Sequence, residues 1–381
     1  MPNLTAARDE TDALFRLVRP DALYERPIPE RHRMIFYLGH LEAFDWNLIG
    51  RYALDLPAFH PSFDRLFAFG IDPPPGQLPA DQPADWPRAE EVQSYNRRVR
   101  EEVDAHLAAV PEQLLHVAVE HRLMHAETFA YILHQLDYGK KSRPNQSRDR
   151  EGAVAFATGP TCPPAMIPIP AGPARLGRSP EEGFGWDNEF PAVSVGVPAF
   201  SISACKVTNG EYLEFVRQGA AAPFFWSRHA GRWFYRGMWE EIPLPLDWPV
   251  HVTHDEATAY ARWRGMRLPT EAEWHRAACA AEPSANLDFR GWDPIPVNES
   301  EGLSQLTGNG WEWTSTPFAP FPGFQPFPFY PNYSEPFFDG RHYVLKGASP
   351  RTARCFLRPS FRNWFRPAYP YIYATFRLVT D

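Results

Sequence analysis

The chain has 381 residues, a formal net charge of −8 and 44% hydrophobic residues, enough for two domains with separate cores. Mild acidity without a basic block excludes nucleic acid or an anionic membrane as main partner, and no apolar run reaches the ~18 residues of a membrane span. Four widely spaced cysteines (Cys162, Cys205, Cys279, Cys355) form no CxxC, so neither a disulfide framework nor a thiolate zinc site is expected. The first residues, MPNLTAARDETDALF, lack a basic stretch followed by an apolar one, and the expected location is cytoplasmic.

Apolar residues at three-four spacing predict helices near 8–18, 30–54, 90–108 and 111–137, hence an antiparallel four-helix bundle. Pro111 suits the first turn of the last. Between the second and third, HPSFDRLFAFGIDPPPGQLPADQPADWP (60–87) is so rich in proline that a long ordered loop is predicted. A polar stretch beginning at Gly139 marks a linker, 141–163, between a helical domain, 1–140, and a second domain, 164–381. The second half holds most of the 42 prolines and 13 tryptophans. It predicts an irregular fold of short strands, turns and aromatic packing. Its firm helices are HDEATAYARWRG (254–265), opening at His254-Asp255, and TEAEWHRAACA (270–280), opening on a Thr270–Glu273 capping box. Asn309 and Glu312 in GNGWEW suit either a structural Ca2+ site or a tight aromatic turn.

The stretch EHRLMHAE (120–127) places His121 and His125 on the apolar stripe Leu114, Ala118, Phe129, Ile132 of the last predicted helix. Buried imidazoles need partners for their nitrogens, and His at i and i+4 can direct two nitrogens to one metal ion. A lone histidine on such a face is more often a core residue bonded to a carbonyl. His40 supplies the third candidate, on the apolar stripe Phe36, Phe44, Leu48 of an earlier helix. His134 falls on the opposite face, His116 lies off the stripe, and His32 sits at a helix start. Three imidazoles without thiolate suit zinc, iron or another borderline metal.

His40 followed by His121, His125 and Glu127 resembles the DinB-like helical domain of the EgtB family, the sulfoxide synthases of ergothioneine biosynthesis. The runs FGWDNEFP (184–191), VTNGEYLEFV (207–216), RLPTEAEWHRAA (267–278), GNGWEWTSTPF (308–318) and RPSFRNWFRP (358–367) resemble, in order, the formylglycine-generating-enzyme-like (sulfatase-modifying-factor) domain of that family. The resemblance covers nearly the whole chain. It implies a DinB-like bundle followed by an irregular C-type-lectin-like domain, with the site at the domain interface. It implies Fe(II) held by His40, His121 and His125, and O2-dependent joining of a small thiol to the imidazole of hercynine as a sulfoxide. In the family a tyrosine of the Y-P-x-Y segment donates a proton. Here that segment is Tyr330-Pro331-Asn332-Tyr333, with Tyr330 as donor and Tyr333 as pocket wall. Asn363 and Trp364 match the stretch that binds the betaine.

Three departures bear on the substrates. Phe365 stands where γ-glutamylcysteine-using members carry Asp, and Trp86 stands about where they carry Arg, with Arg88 nearby but out of register. Free cysteine is then the expected thiol. Met124 replaces a Gln that contacts the acceptor, and thioether sulfur cannot reproduce an amide's hydrogen bonds. Tyr95, Arg97 and Arg98 are candidates for thiol contacts, though solvated surface is the commoner role. Rival readings are an ovothiol- or selenoneine-type enzyme with another acceptor or donor, and a non-catalytic C-type-lectin-like binding protein. A copper-dependent formylglycine-generating oxidase needs two cysteines near the C-terminus, where this chain has Cys355 alone.

Overall fold

The computed structural model describes residues 3–71, 77–143, 165–278, 286–297 and 302–381, and the chain divides into two compact units, 1–151 and 152–381. The expected linker lies largely outside the described residues.

The first unit is helical: α1 (Leu4–Phe15), α2 (Met34–Asp45), α3 (Pro61–Phe69), α4 (Ala89–His106) and α5 (Glu112–Gln135). The four long helices follow the predicted spans. The fifth, α3, corrects the reading of 60–87 as loop. Pro61 occupies its first turn, where a missing N–H costs nothing, and His60 Nδ1 caps it by accepting from Phe63 N–H at 3.3 Å. Beyond Asp45 the chain of α2 winds on as a π-helix over Trp46–Ala53, so the stripe through Leu48 does not continue at α-helical period. α2 is buried on most of its circumference, Glu42 and Asp45 included. Pro111 is the cap of α5 rather than part of its first turn.

The second unit carries β1 (Met166–Ile169), β2 (Gly172–Leu176), β3 (Val193–Val197), β4 (Phe200–Ser203), α6 (Asn209–Arg217), β5 (Trp226–His229), β6 (Arg232–Arg236), β7 (Glu241–Pro243), α7 (His254–Trp263), α8 (Glu271–Ala278), β8 (Gly310–Pro317), β9 (Tyr343–Ala348), β10 (Asn363–Phe365), β11 (Ala374–Thr375) and β12 (Val379–Thr380). They form small sheets ordered β1-β4-β12, β10-β9-β8-β11, β2-β3 and β5-β6-β7. α6 went unpredicted, although Thr208 and Glu211 form the same capping box that marked α8. α7 starts one residue before the expected signal, on Thr253 boxed with Glu256.

A buried ionic hub joins two sheets. Glu312 of β8 accepts from Lys206 Nζ at 2.5 Å, Arg377 Nε at 2.8 Å and Trp274 Nε1 at 2.8 Å, all within the core. Asn309, at φ +61°, accepts from Asn286 Nδ2 and Ile295 N–H and donates to Ile295 O and Gln305 Oε1. Both side chains are thus consumed by protein partners, which speaks against the Ca2+ reading; of GNGWEW, Gly308-Asn309 bend the chain into β8 and Gly310 to Trp313 are strand. Cys205 is disulfide-bonded, which the absence of CxxC spacing and of an expected disulfide framework did not foretell, since cysteines far apart in sequence can meet in a fold. Cys355 is exposed and outside any disulfide.

Candidate metal centre and tyrosine loop

α2 and α5 bring His40, His121 and His125 together, each offering a ring nitrogen within 4.8 Å of the others. His40 Nε2 lies 3.2 Å from His125 Nε2. Two nitrogens about 2.1 Å from one ion lie no more than about 4.2 Å apart, so this spacing fits a shared cation. Aromatic faces wedge the rings: Phe44 stacks on His121 at 3.4 Å, and Phe36 on His40 at 4.7 Å. Burial pushes the His40 imidazolium down to about 4 and those of His121 and His125 well below the ordinary value, with Arg122 adding to each. All three are neutral donors at pH 7, the state a metal requires.

His40 Nδ1 sits 2.6 Å from the carbonyl oxygen of Phe67 on α3. A carbonyl can only accept, so Nδ1 carries the proton and Nε2 presents its lone pair to the cluster. His125 Nδ1 is buried without a hydrogen-bond partner, as expected of a ring whose orientation answers to something other than the protein's hydrogen bonds. This donor set fits a borderline divalent metal.

Next to His121, Arg122 donates to Glu42 Oε2 at 2.8 Å and Asp45 Oδ2 at 2.6 Å, while Arg100 bridges Glu42 and Asp12. Burial alone would raise the Glu42 carboxyl, but Arg122 and Arg100 hold it below its usual range. These carboxylates clamp α2 to α5 and are not offered to the three imidazoles.

Of the other predicted residues in this unit, Met124 and Glu127 are half-buried on α5. Trp86 is buried; its Nε1 donates to Asp81 Oδ2 at 2.7 Å, and Asp81 also pairs with Arg26 and Arg33. Its ring meets Phe36 edge-on, one ring away from His40. Tyr95 is buried and donates to Asp64 Oδ1 at 2.7 Å, whereas Arg88, Arg97 and Arg98 are exposed, the last over the face of Phe59.

In the second unit, Tyr330, Tyr333 and Trp364 lie in one aromatic cluster. Trp186 stacks on Tyr333 at 4.0 Å and meets Tyr330 edge-on at 6.4 Å; Trp364 meets Tyr333 edge-on at 5.4 Å. Residues 186–188 grip the tyrosine loop in succession. Trp186 holds the rings, Asp187 Oδ1 accepts from Ser334 Oγ at 2.5 Å, and Asn188 Nδ2 donates to Ser334 Oγ at 2.9 Å. Burial pushes the Asp187 carboxyl up to about 6, against hydrogen bonds from Ser334 and backbone N–H groups. Burial and then the Asp187 charge push the Tyr330 phenol up to about 12, so it keeps its proton at any physiological pH.

Asn363, Trp364 and Phe365 are β10, the edge strand on β9, so Trp364 points to the face opposite Asn363 and Phe365. Trp364 stacks on Phe318 at 4.2 Å, and Phe365 stacks on Tyr369 at 5.4 Å. Arg362 anchors the strand from below through a buried fork to Glu271. The grip by 186–188 escaped the sequence reading, which singled out FGWDNEFP only as a family likeness.

The description "Sulfatase-modifying factor enzyme 1-like domain" matches residues 153–294 and 288–381, and "DinB superfamily" matches residues 3–135. The chain belongs to the sulfatase-modifying factor enzyme 1-like family. Its DinB-superfamily region comes first. Hercynine oxygenase of Mycobacterium tuberculosis is 41% identical over 51% of this chain and 56% of that protein. Ergothioneine biosynthesis protein 1 of Schizosaccharomyces pombe is 29% identical over 96% of this chain and 54% of that protein. Inactive C-alpha-formylglycine-generating enzyme 2 of Mus musculus is 31% identical over 41% of this chain and 70% of that protein. The chain thus spans just over half the length of the first two. No helix among the described residues is long and apolar enough to cross a membrane.

Proposed function

We propose that the protein is a non-heme iron enzyme that uses O2 to join a small thiol to the imidazole of hercynine or a close histidine derivative, giving a sulfoxide in ergothioneine biosynthesis. The observation that carries this is the cluster of three neutral imidazoles from α2 and α5. The match to ergothioneine biosynthesis protein 1 over 96% of this chain supports the reaction class. We read α1, α2, α4 and α5 as a four-helix bundle of DinB type with α3 added, and the second unit as C-type-lectin-like.

In this reading His40, His121 and His125 hold Fe(II), which when bound supplies sites for O2 and for the sulfur and imidazole of the substrates. The proposed ligands belong to the first unit, and Tyr330, Asn363 and Trp364 to the second. Tyr330, which keeps its phenolic proton, is the proposed proton donor and would serve as general acid if the iron were bound. Trp364 offers an indole face to the trimethylammonium group and Asn363 an amide to the carboxylate. Phe365, stacked on Tyr369, offers a γ-glutamyl group no charge of its own, which favours free cysteine. Trp86 and Met124 are the candidate substrate contacts of the first unit.

The test is anaerobic loading with Fe(II), addition of hercynine with cysteine or γ-glutamylcysteine, admission of O2, and mass analysis of products. A hercynine–cysteine sulfoxide is expected. Tight iron binding without any adduct would sink the substrate assignment. Unchanged iron content in a folded His121→Ala variant would sink the metal assignment.

A further inference from the structure

The short helix α3 lies in the Pro-rich stretch between the two metal-bearing helices and contributes no proposed ligand. Its last turn nevertheless reaches the site. The final carbonyls of an α-helix have no partner within the helix. At the end of α3, Gly70 N–H takes the carbonyl of Leu66, and His40 Nδ1 takes that of Phe67.

Two further contacts fix where the Phe67 carbonyl sits. The Phe67 ring is fully buried against Gly39, the residue before His40. A Cβ at position 39 would lie 2.4–2.5 Å from three Phe67 ring carbons, so only glycine leaves room for this approach. One turn earlier on α3, Asp64 accepts from the Tyr95 hydroxyl of α4 at 2.7 Å, and the Asp64 carbonyl accepts from Asn47 Nδ2 at 3.1 Å.

We propose that α3 is a positioning element for the metal centre: its Phe67 carbonyl fixes His40 as the Nδ1–H tautomer with Nε2 aimed at the metal, and Gly39 and Tyr95 set the carbonyl's place. This rests on the metal reading above. Partners on the second nitrogen of a ligating histidine fix its tautomer and orientation, and their loss costs roughly 10–100-fold in metal affinity. Proline at the start and glycine at the end of α3 then serve to terminate a helix whose C-terminal carbonyl, rather than any side chain, is the useful group.

The test uses full-length Gly39→Ala, Tyr95→Phe and a steric control, Gly50→Ala. A Cβ at Gly50 would lie 2.4 Å from Trp46 ring carbons, so the control suffers a similar clash in the same helical run without touching Phe67. Co(II) affinity and its visible spectrum are read first. Histidine 15N resonances of the metal-free proteins then report the His40 tautomer. Expected is a 10–100-fold loss of Co(II) affinity in Gly39→Ala, a smaller loss in Tyr95→Phe and little change in Gly50→Ala, with the Nδ1–H tautomer of His40 eroded only in the first two. Wild-type affinity and tautomer in Gly39→Ala, or an equal affinity loss in Gly50→Ala, would overturn the proposal. Should Gly39→Ala not fold, Tyr95→Phe, which removes one oxygen, decides by the same readings. Should the wild type bind no Co(II), the metal reading fails by itself, and the tautomer comparison still decides whether α3 positions His40.

Discussion

Asp187 keeps a carboxylate where its surroundings favour the neutral acid. Its pKa rises from the ordinary 3.8 to about 6 through burial. Below pH 3.8 folded and unfolded chains both hold the proton, and the group contributes nothing to stability. From pH 3.8 to 6 the unfolded chain ionises first, so stability falls as pH rises, and above 6 the full penalty stands. A rise of this size corresponds to a cost on the order of 2–3 kcal/mol. Asn at this position still accepts from Ser334 Oγ and removes the charge. Asp187→Asn is therefore expected to melt several degrees higher than wild type at pH 7.5, with the gain gone near pH 4; equal melting at both values would contradict the burial argument. The same substitution removes the charge that helps raise the Tyr330 phenol. At this scale His121 and His125 were legible because i, i+4 spacing on an apolar stripe is local information, and His40 because it interrupts an apolar stripe of its own. The partner of His40 was not, since a backbone carbonyl has no letter of its own. Nor was the bond between Asn188 and Ser334, which spans 146 positions with no period to connect them.

Helices carried their own punctuation to different degrees. The Thr270–Glu273 box announced α8, while the equivalent Thr208–Glu211 box was passed over because Gly210 and the brevity of α6 weakened the periodic signal. α3 was lost to its proline count, although Pro61 at the first turn is a start signal rather than a break. The π-helical turn after Asp45 has no sequence signature. Nor does an apolar stripe foretell charges inside a bundle, yet Arg122 ties α5 to α2 through Glu42 and Asp45 with all three side chains buried. Arg122→Met leaves both carboxylates without that cation and is expected to cost about 3–5 kcal/mol, read as a lower urea midpoint. Neutralising the carboxylates together with it, as Arg122→Met/Glu42→Gln/Asp45→Asn, is expected to recover much of the loss. A single variant as stable as wild type would show the clamp to be idle.

Across the whole molecule, all three proposed ligands and the carbonyl behind His40 come from residues 1–151, whereas the tyrosine loop, its grip and β10 come from 152–381. Loading with metal is expected to slow hydrogen exchange in peptides from α2, α3 and α5 and to leave the peptides around Trp186 and Tyr330 unchanged. Protection appearing first in the second unit would contradict a metal site built wholly by the first. The two-part organisation was readable from composition alone, since the aromatic and proline content shifts between the halves. The arrangement of strands was not, because most are two to five residues long and, among the described residues, four separate sheets share them.

The hub at Glu312 bears on how such a chain can change over generations. Lys206, Arg377 and Trp274 all depend on one carboxylate, and Arg377 also donates to the carbonyls of Ser203, Ala204 and Ser304. Replacing Glu312 takes the shared carboxylate from all three buried donors, and replacing either cation leaves the carboxylate short of charge in the core. A descendant can vary the edge strand β10, the tyrosine loop or the Pro-rich connections one residue at a time. It can leave this hub only by several simultaneous steps, so new substrate preferences are open to gradual drift while the frame that presents them is not.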